Sequence, residues 1–339
     1  MKIELMNLEE AERLQNFIDE AERIVICAHR SPDGDALGSS LGLANYLRSQ
    51  DKNPVVIMPD MFPDFLQWLP GTQQVLRYDK KPEEVKKAME EAELIFCLDF
   101  SQEERLGDMA PLLHNSQARK IIFDHHPSPT IPAQISLSYP QLSSASEVTF
   151  RAIWQLGGFE AMTSQSAVPL YCGMMTDTGA FTFNSNSPEV YFIISQLLTK
   201  GIDKDKIYRN VYHNYSEWRM RLTGYVLYEK MHVFAKKNAA YFTLTREDLK
   251  RFHYIKGDAE GLVNMPLQIK GIRLSISLRE DTERDNLVWV SLRSVENFSC
   301  TKMAQKYFNG GGHLNASGGR LNCSMAEAEK IVQRAIEEL

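Results

Sequence analysis

The chain has 339 residues, 43% hydrophobic and 24% charged, with a net charge of −6, a composition that suits an ordinary globular protein with room for two cored domains. The acidic balance excludes a global basic field that would draw it onto long duplex nucleic acid or an anionic membrane, and no apolar run approaches the ~20 residues of a membrane span. An acid at Glu4 stands where a secretory signal would turn basic and then apolar, and five cysteines without a CxxC pair point to a reducing, cytoplasmic setting.

Residues 8–22 carry the apolar spacing of an amphipathic helix (Leu8, Ala11, Leu14, Ile18) and lead into a continuous apolar run, Ile24–Ala28. A buried strand is expected there. His29-Arg30-Ser31-Pro32-Asp33-Gly34-Asp35 follows, opening a helix that continues through Leu37, Leu41, Ala44 and Leu47. Further strands are expected at Pro54–Met58, at Leu94–Leu98 ending in Asp99, and at Lys120–Phe123 ending in Asp124-His125-His126. Lys81–Ala92 reads as a helix, and Ser144–Leu156 as another with a capping box from Ser144 and Glu147. Val168–Met175 reads as one more apolar strand, ending at Asp177. Apolar runs alternating with helices argue for an α/β fold, a doubly wound, mainly parallel sheet covered on both faces.

From 186 to 222 the pattern is helical and rich in aromatics, which suggests a helical linker. Beyond it, alternation takes over. A hairpin is expected from Tyr225–Phe234 and Ala240–Leu244, with strands around Ile272–Leu278 and Val288–Leu292. Helices at Thr301–Phe308 and Ala326–Leu339 complete a smaller mixed-sheet α+β domain. The expected boundaries are 1–185, 186–222 and 223–339. Gly310-Gly311-Gly312-His313 lies between the last two elements, where glycine amides and the His313 ring would cradle a phosphate. Arg293 on a nearby strand would assist, with Arg279 as a further contributor.

In a doubly wound sheet, ligands bind beyond the carboxyl ends of the strands. His29, Asp33, Asp35, Asp99, Asp124, His125, His126 and Asp177 all follow apolar runs, so four separate run ends would aim carboxylates and imidazoles at one crevice. Hard oxygens with imidazole and no thiol suit Mn²⁺, Mg²⁺ or Co²⁺. So many carboxylates overload one ion, whereas two ions sharing a bridging carboxylate would use them for phosphoester hydrolysis.

The Asp124-His125-His126 triplet, the motifs around it and Gly310–His313 resemble the DHH phosphoesterase family with its DHH-associated C-terminal domain, most nearly the nanoRNase/pAp phosphatase branch. The resemblance implies a di-manganese centre. One ion would take His29, Asp33 and Asp99, and the other Asp35, Asp99, His125 and Asp177. Asp124 would orient its neighbours and His126 would face the scissile phosphate. It implies hydrolysis of short single-stranded RNA to 5′-mononucleotides and of pAp to AMP, and a homodimer. A soluble cyclic-dinucleotide phosphodiesterase, a manganese pyrophosphatase and a non-catalytic nucleotide sensor are the alternative readings. The run Ala180-Phe181-Thr182-Phe183 departs from relatives that carry a basic residue near position 182.

Overall fold

The structure, a computed structural model, describes residues 3–255 and 257–339. The chain divides into two units, one up to Asn214 and one from Tyr215. Along the first run α1 (Leu8–Glu20), β1 (Ile24–Ala28), α2 (Gly34–Ser49), β2 (Val55–Met58), β3 (Leu76–Arg77), α3 (Pro82–Glu91) and β4 (Leu94–Leu98). They are followed by α4 (Ala110–Asn115), β5 (Arg119–Asp124), β6 (Ile135–Ser138), α5 (Ala145–Gln155), α6 (Ser164–Asp177), α7 (Pro188–Thr199) and α8 (Lys204–Tyr212).

The strands form one six-stranded sheet in the order β3-β2-β1-β4-β5-β6, and every pair in it is parallel. Alternate residues divide between two cores, as the pleat requires. Ile24, Ile26, Phe96, Leu98, Ile121 and Phe123 pack under α2, α5 and α6. Val25, Cys27, Ile95, Cys97 and Ile122 pack under α3 and α4. The strand order reverses between β1 and β4, which is where a parallel sheet opens a crevice at its carboxyl edge.

One expected strand is a helix. Residues 168–175 lie within α6, so Asp177 is the last residue of a helix rather than the residue after a strand. Nearly the whole of that stretch is buried, and a helix buried all round loses the one-sided periodicity that distinguishes it from a strand. The sheet's sixth strand is instead β6, a four-residue segment too short to register as a pattern. The capping of α5 also differs from expectation. Ser144 does accept the Glu147 amide, but the Glu147 carboxylate reaches one residue further back, to the amide and hydroxyl of Ser143.

The expected linker residues are helical, and α7 and α8 bury Val190, Ile193, Leu197, Ile207 and Val211 in the first unit's core. The second unit contains α9 (Glu217–Tyr225), β7 (His232–Phe234), β8 (Ala239–Leu244), α10 (Arg246–Arg251), β9 (Leu274–Glu280) and β10 (Val288–Ser294). It closes with α11 (Cys300–Tyr307), β11 (Gly311–Gly312), β12 (Ala316–Leu321) and α12 (Met325–Glu337). Its sheet runs β11-β12-β10-β9-β8-β7 and is mixed, with β8 and β9 parallel and the other pairs antiparallel. The hairpin's first arm is shorter than expected, because Val226–Lys230 forms a π-helical turn ahead of β7. Among the described residues no helix is long and apolar enough to cross a membrane.

Candidate metal centre

The loop after β1 does two things at once. Asp33 caps α2, with one oxygen accepting the amides of Asp35 and Ala36 at 3.0 Å each. Its other oxygen lies 3.9 Å from Nε2 of His29. The remaining nitrogen of that ring, Nδ1, is 2.8 Å from the Arg30 carbonyl. A carbonyl only accepts, so Nδ1 carries the proton and a neutral ring presents the Nε2 lone pair.

Asp99 follows β4 with a left-handed backbone, φ 62°, a conformation that an aspartate tolerates better than most residues. It is 2% exposed. One of its oxygens is 3.3 Å from His29 Nε2. The other is 3.5 Å from both His125 Nε2 and His126 Nδ1, yet it makes no hydrogen bond of good geometry. His125 Nε2 also lies 3.8 Å from Asp35 and 3.5 Å from Asp177. Asp124, fully buried, accepts from the amides of His125 and His126 at 2.9 and 3.1 Å and from the His126 Nδ1 at 2.8 Å. It therefore holds the backbone of both histidines and the His126 ring from behind, engaging that ring through Nδ1.

Three overlapping groups, each with its donor atoms within 4.8 Å of one another, emerge from these contacts: His29, Asp33 and Asp99; Asp99, His125 and His126; and Asp35, His125 and Asp177. Asp99 and His125 each belong to two of them. The electrostatics are those of a site short of positive charge. Burial, with Asp99 and Asp177 nearby, pushes the Asp35 carboxyl well above the usual range. Burial also raises Asp177, which faces Asp99 and Asp33, to about 7. Desolvation works against charge on His125 and His29, but the carboxylates around them prevail and both pKa values are raised, that of His125 strongly. Asp99 moves the opposite way: burial opposes its charge, but the His125 and His29 rings hold it well below the usual carboxylate range. Asp177 ends α6, and a carboxylate at the carbonyl end of a helix has the wrong sign for the dipole. The donor set of hard oxygens and imidazole, with a buried Asp99 oxygen lacking a partner, fits divalent cations.

In the second unit, Arg293 pairs across β10 and β12 with Ala316, and Ala316 and His313 exchange main-chain hydrogen bonds. Arg293 and the His313 turn are thus neighbours. Gly311 and Gly312 form an edge strand against β12 rather than an open loop. The Gly310 amide donates to the Ala304 carbonyl, so one of the glycine amides expected to cradle a phosphate is already engaged, and the His313 amide donates to the Ala316 carbonyl. Glycine is needed here for close pairing: a Cβ on Gly310 would fall 1.9 Å from the Gly318 carbonyl oxygen. Arg279 pairs opposite Trp289, on the same face as Arg293 but four positions along, or roughly 13 Å. Its guanidinium donates to the Tyr254 hydroxyl at 2.6 Å.

The sequence reading missed what supports Asp35. Its carboxylate accepts the Ala145 and Ser146 amides of α5 at 2.6 and 2.9 Å, a partnership across more than a hundred residues that no local motif announces. A signal for the accompanying helix seam was present: Gly34, Gly38 and Gly42 recur every fourth residue on α2 and lie against α6.

A doubly wound α/β unit with a carboxylate–imidazole centre at the reversal of its strand order defines the class. Residues 23–174 match the model of the DHH family, N-terminal domain, and the chain belongs to that family. A crystal structure of an exopolyphosphatase-related protein from Bacteroides fragilis is 49% identical, with a TM-score of 0.94, covering 98% of this chain and 96% of that one. A probable bifunctional oligoribonuclease and PAP phosphatase NrnA from Streptococcus mutans is 28% identical over 92% of this chain and 93% of its own length. A bifunctional oligoribonuclease and PAP phosphatase NrnA from Thermus thermophilus is likewise 28% identical, over 93% and 90%.

Proposed function

We propose that the chain is a metal-dependent phosphoesterase that hydrolyses short oligoribonucleotides to 5′-mononucleotides and converts pAp to AMP, with two Mn²⁺ as its working ions. The observation that carries this reading is a run of shared ligands: buried Asp99 belongs both to the group of His29 and Asp33 and to that of His125 and His126, and His125 belongs also to the group of Asp35 and Asp177. One cation would be held by His29, Asp33 and Asp99, the other by Asp35, Asp99, His125 and Asp177. A bound pair supplies Lewis acidity and a water that ionises near neutral pH. The likeness to the NrnA relatives over nearly the full chain supports the substrate class.

The chain's own residues divide the remaining work. Asp124 fixes the orientation of the His126 ring through Nδ1, which suits its Nε2 to hold a proton at the leaving oxygen. In the second unit, Arg293 and His313 are neighbours and would offer hydrogen-bond donors, and the arginine positive charge, to a phosphate. The acidic net charge of −6 suits short substrates over long tracts.

A side-by-side assay with Mn²⁺ tests the reading. It offers an RNA dinucleotide, a pentanucleotide, a long RNA, pAp, a cyclic dinucleotide, pyrophosphate and polyphosphate, with Asp35→Ala as the blank. Turnover of the short RNAs and pAp, lost in Asp35→Ala, is expected. Turnover confined to pyrophosphate or polyphosphate would overturn the nucleotide reading. Light scattering on the same preparation tests the homodimer that the family resemblance implies.

A further inference from the structure

The geometry points to a socket for Asp35, built from the first turn of α5 and the missing side chain of Gly173 on α6, whose members act as positioning residues for the cation that Asp35 holds. This inference rests on the metal reading above and adds residues that make no contact with a metal or a substrate. Three helices meet at this carboxylate. Asp35 lies in the first turn of α2. The Ala145 amide donates to one of its oxygens at 2.6 Å and the Ser146 amide to the other at 2.9 Å. Each oxygen thus spends one lone pair on α5 and keeps the other for the crevice, where His125 Nε2 stands 3.8 Å away. The carboxylate is 1% exposed, so no water competes for the arrangement.

Gly173 forms the third wall. A Cβ there would lie 2.0 Å from the Ser146 hydroxyl oxygen and 2.9 Å from an Asp35 oxygen, separations that real Cβ atoms do not show. The α2–α6 seam is equally tight elsewhere. A Cβ on Gly38 would meet the Pro169 carbonyl oxygen at 2.6 Å and the Gly173 Cα at 2.8 Å, and one on Gly42 would meet the Leu170 side chain at 2.5 Å. Of these positions, the one whose clash includes Asp35 itself is Gly173. Gly42 lies on the same seam, two helical turns from the carboxylate, and is therefore the control for packing damage alone.

Two substitutions reach the socket by different routes. Gly173→Ala pushes on the carboxylate. Ala145→Pro removes the amide bound to it, at the first helical position, where proline is well tolerated. The preceding Ser144 has φ −170° and ψ 160°, the extended conformation that a following proline requires. Neither variant alters the charge of the site.

The test titrates Mn²⁺ alone into the metal-free full chain, by calorimetry and by electron paramagnetic resonance, with circular dichroism and thermal unfolding on the same samples. Wild type should bind two equivalents. Gly173→Ala and Ala145→Pro should each weaken one equivalent at least tenfold while keeping the wild-type dichroism. Gly42→Ala should lose thermal stability and keep both equivalents. Should Gly173→Ala fail to fold, Ala145→Pro decides. Wild-type Mn²⁺ affinity in Ala145→Pro, or an equal loss in Gly42→Ala, would overturn the inference. A wild-type chain that binds no divalent cation would overturn the metal reading itself, a result told apart from the first because the variants never enter it.

Discussion

Asp124 offers a test in which the structure sets the size of the effect. In Asp124→Ala the amides of His125 and His126 and the His126 ring lose their common acceptor. Hydrogen bonds to a charged group contribute about 1.5–3 kcal/mol each. The His126 ring is 26% exposed and regains water, but Asp124 itself is fully buried, so the two amides do not. Two uncompensated amides at the lower end of that range give about 3–4 kcal/mol. For a unit of this size each kcal/mol shifts Tm by roughly 2–4 °C, so a fall on the order of 10 °C is expected. Asp124→Asn carries the same change of charge but keeps an acceptor oxygen, so the gap between the two variants isolates the hydrogen bonds from relief of repulsion among the neighbouring carboxylates. The assay is urea and thermal unfolding of the metal-free chain. A loss below about 1 kcal/mol in Asp124→Ala, or equal losses in both variants, would refute the claim that Asp124 holds the two histidines in place.

Three further outcomes follow from the same contacts. Asp33→Asn should keep the α2 cap, since asparagine caps as well as aspartate, and change stability by less than about 0.5 kcal/mol, while weakening Mn²⁺ binding at least tenfold; Asp33→Ala should lose both, and denaturation beside metal titration separates them. In the metal-free chain, Asp35 and Asp177 have folded pKa values raised above their unfolded ones, as do His29 and His125. Asp99, held low, works the other way, but its contribution is complete by about pH 5; above that these groups hold more protons in the folded state than in the unfolded state, and stability should fall as pH rises from about 5 to above 7. Cations displace those protons, so the difference in Tm between Mn²⁺-loaded and chelator-treated protein should widen over the same range; a constant difference would count against it. Glu147→Ala should cost about 3–5 kcal/mol, because it removes the buried carboxylate that Arg151 contacts at 2.6 and 2.9 Å and that accepts the Ser143 amide and hydroxyl; chemical denaturation measures it.

The parallel sheet was legible because Ile24–Ala28 and Leu94–Leu98 are short apolar runs bounded by polar residues, and the side chains that follow them, His29 and Asp99, converge as the strand order demands. Residues 168–175 were misread for a related reason: the same continuous apolarity arises when a helix is buried on every side, and only length and context separate the two. Asp177 nonetheless reaches the crevice, from a helix end rather than a strand end. Gly310–Gly312 shows the limit of composition in another way: a glycine run that suggested an open anion loop forms an edge strand at Gly311–Gly312, with the Gly310 amide on the end of α11. What no local pattern could show is long-range support. The amides of α5 that hold Asp35, and the Gly173 backbone beside them, become partners only when three helices from distant parts of the chain pack together.

The most direct measurement is the stoichiometry and magnetic coupling of Mn²⁺ in wild type and in Asp99→Asn, read by elemental analysis and electron paramagnetic resonance on the full chain. If Asp99 joins two ligand groups as a bridge, wild type should bind two exchange-coupled ions, and Asp99→Asn should lose the coupling together with hydrolysis of the RNA dinucleotide and pAp. Two uncoupled ions, a single ion in wild type, or full coupling in Asp99→Asn would contradict a shared carboxylate at the heart of the site.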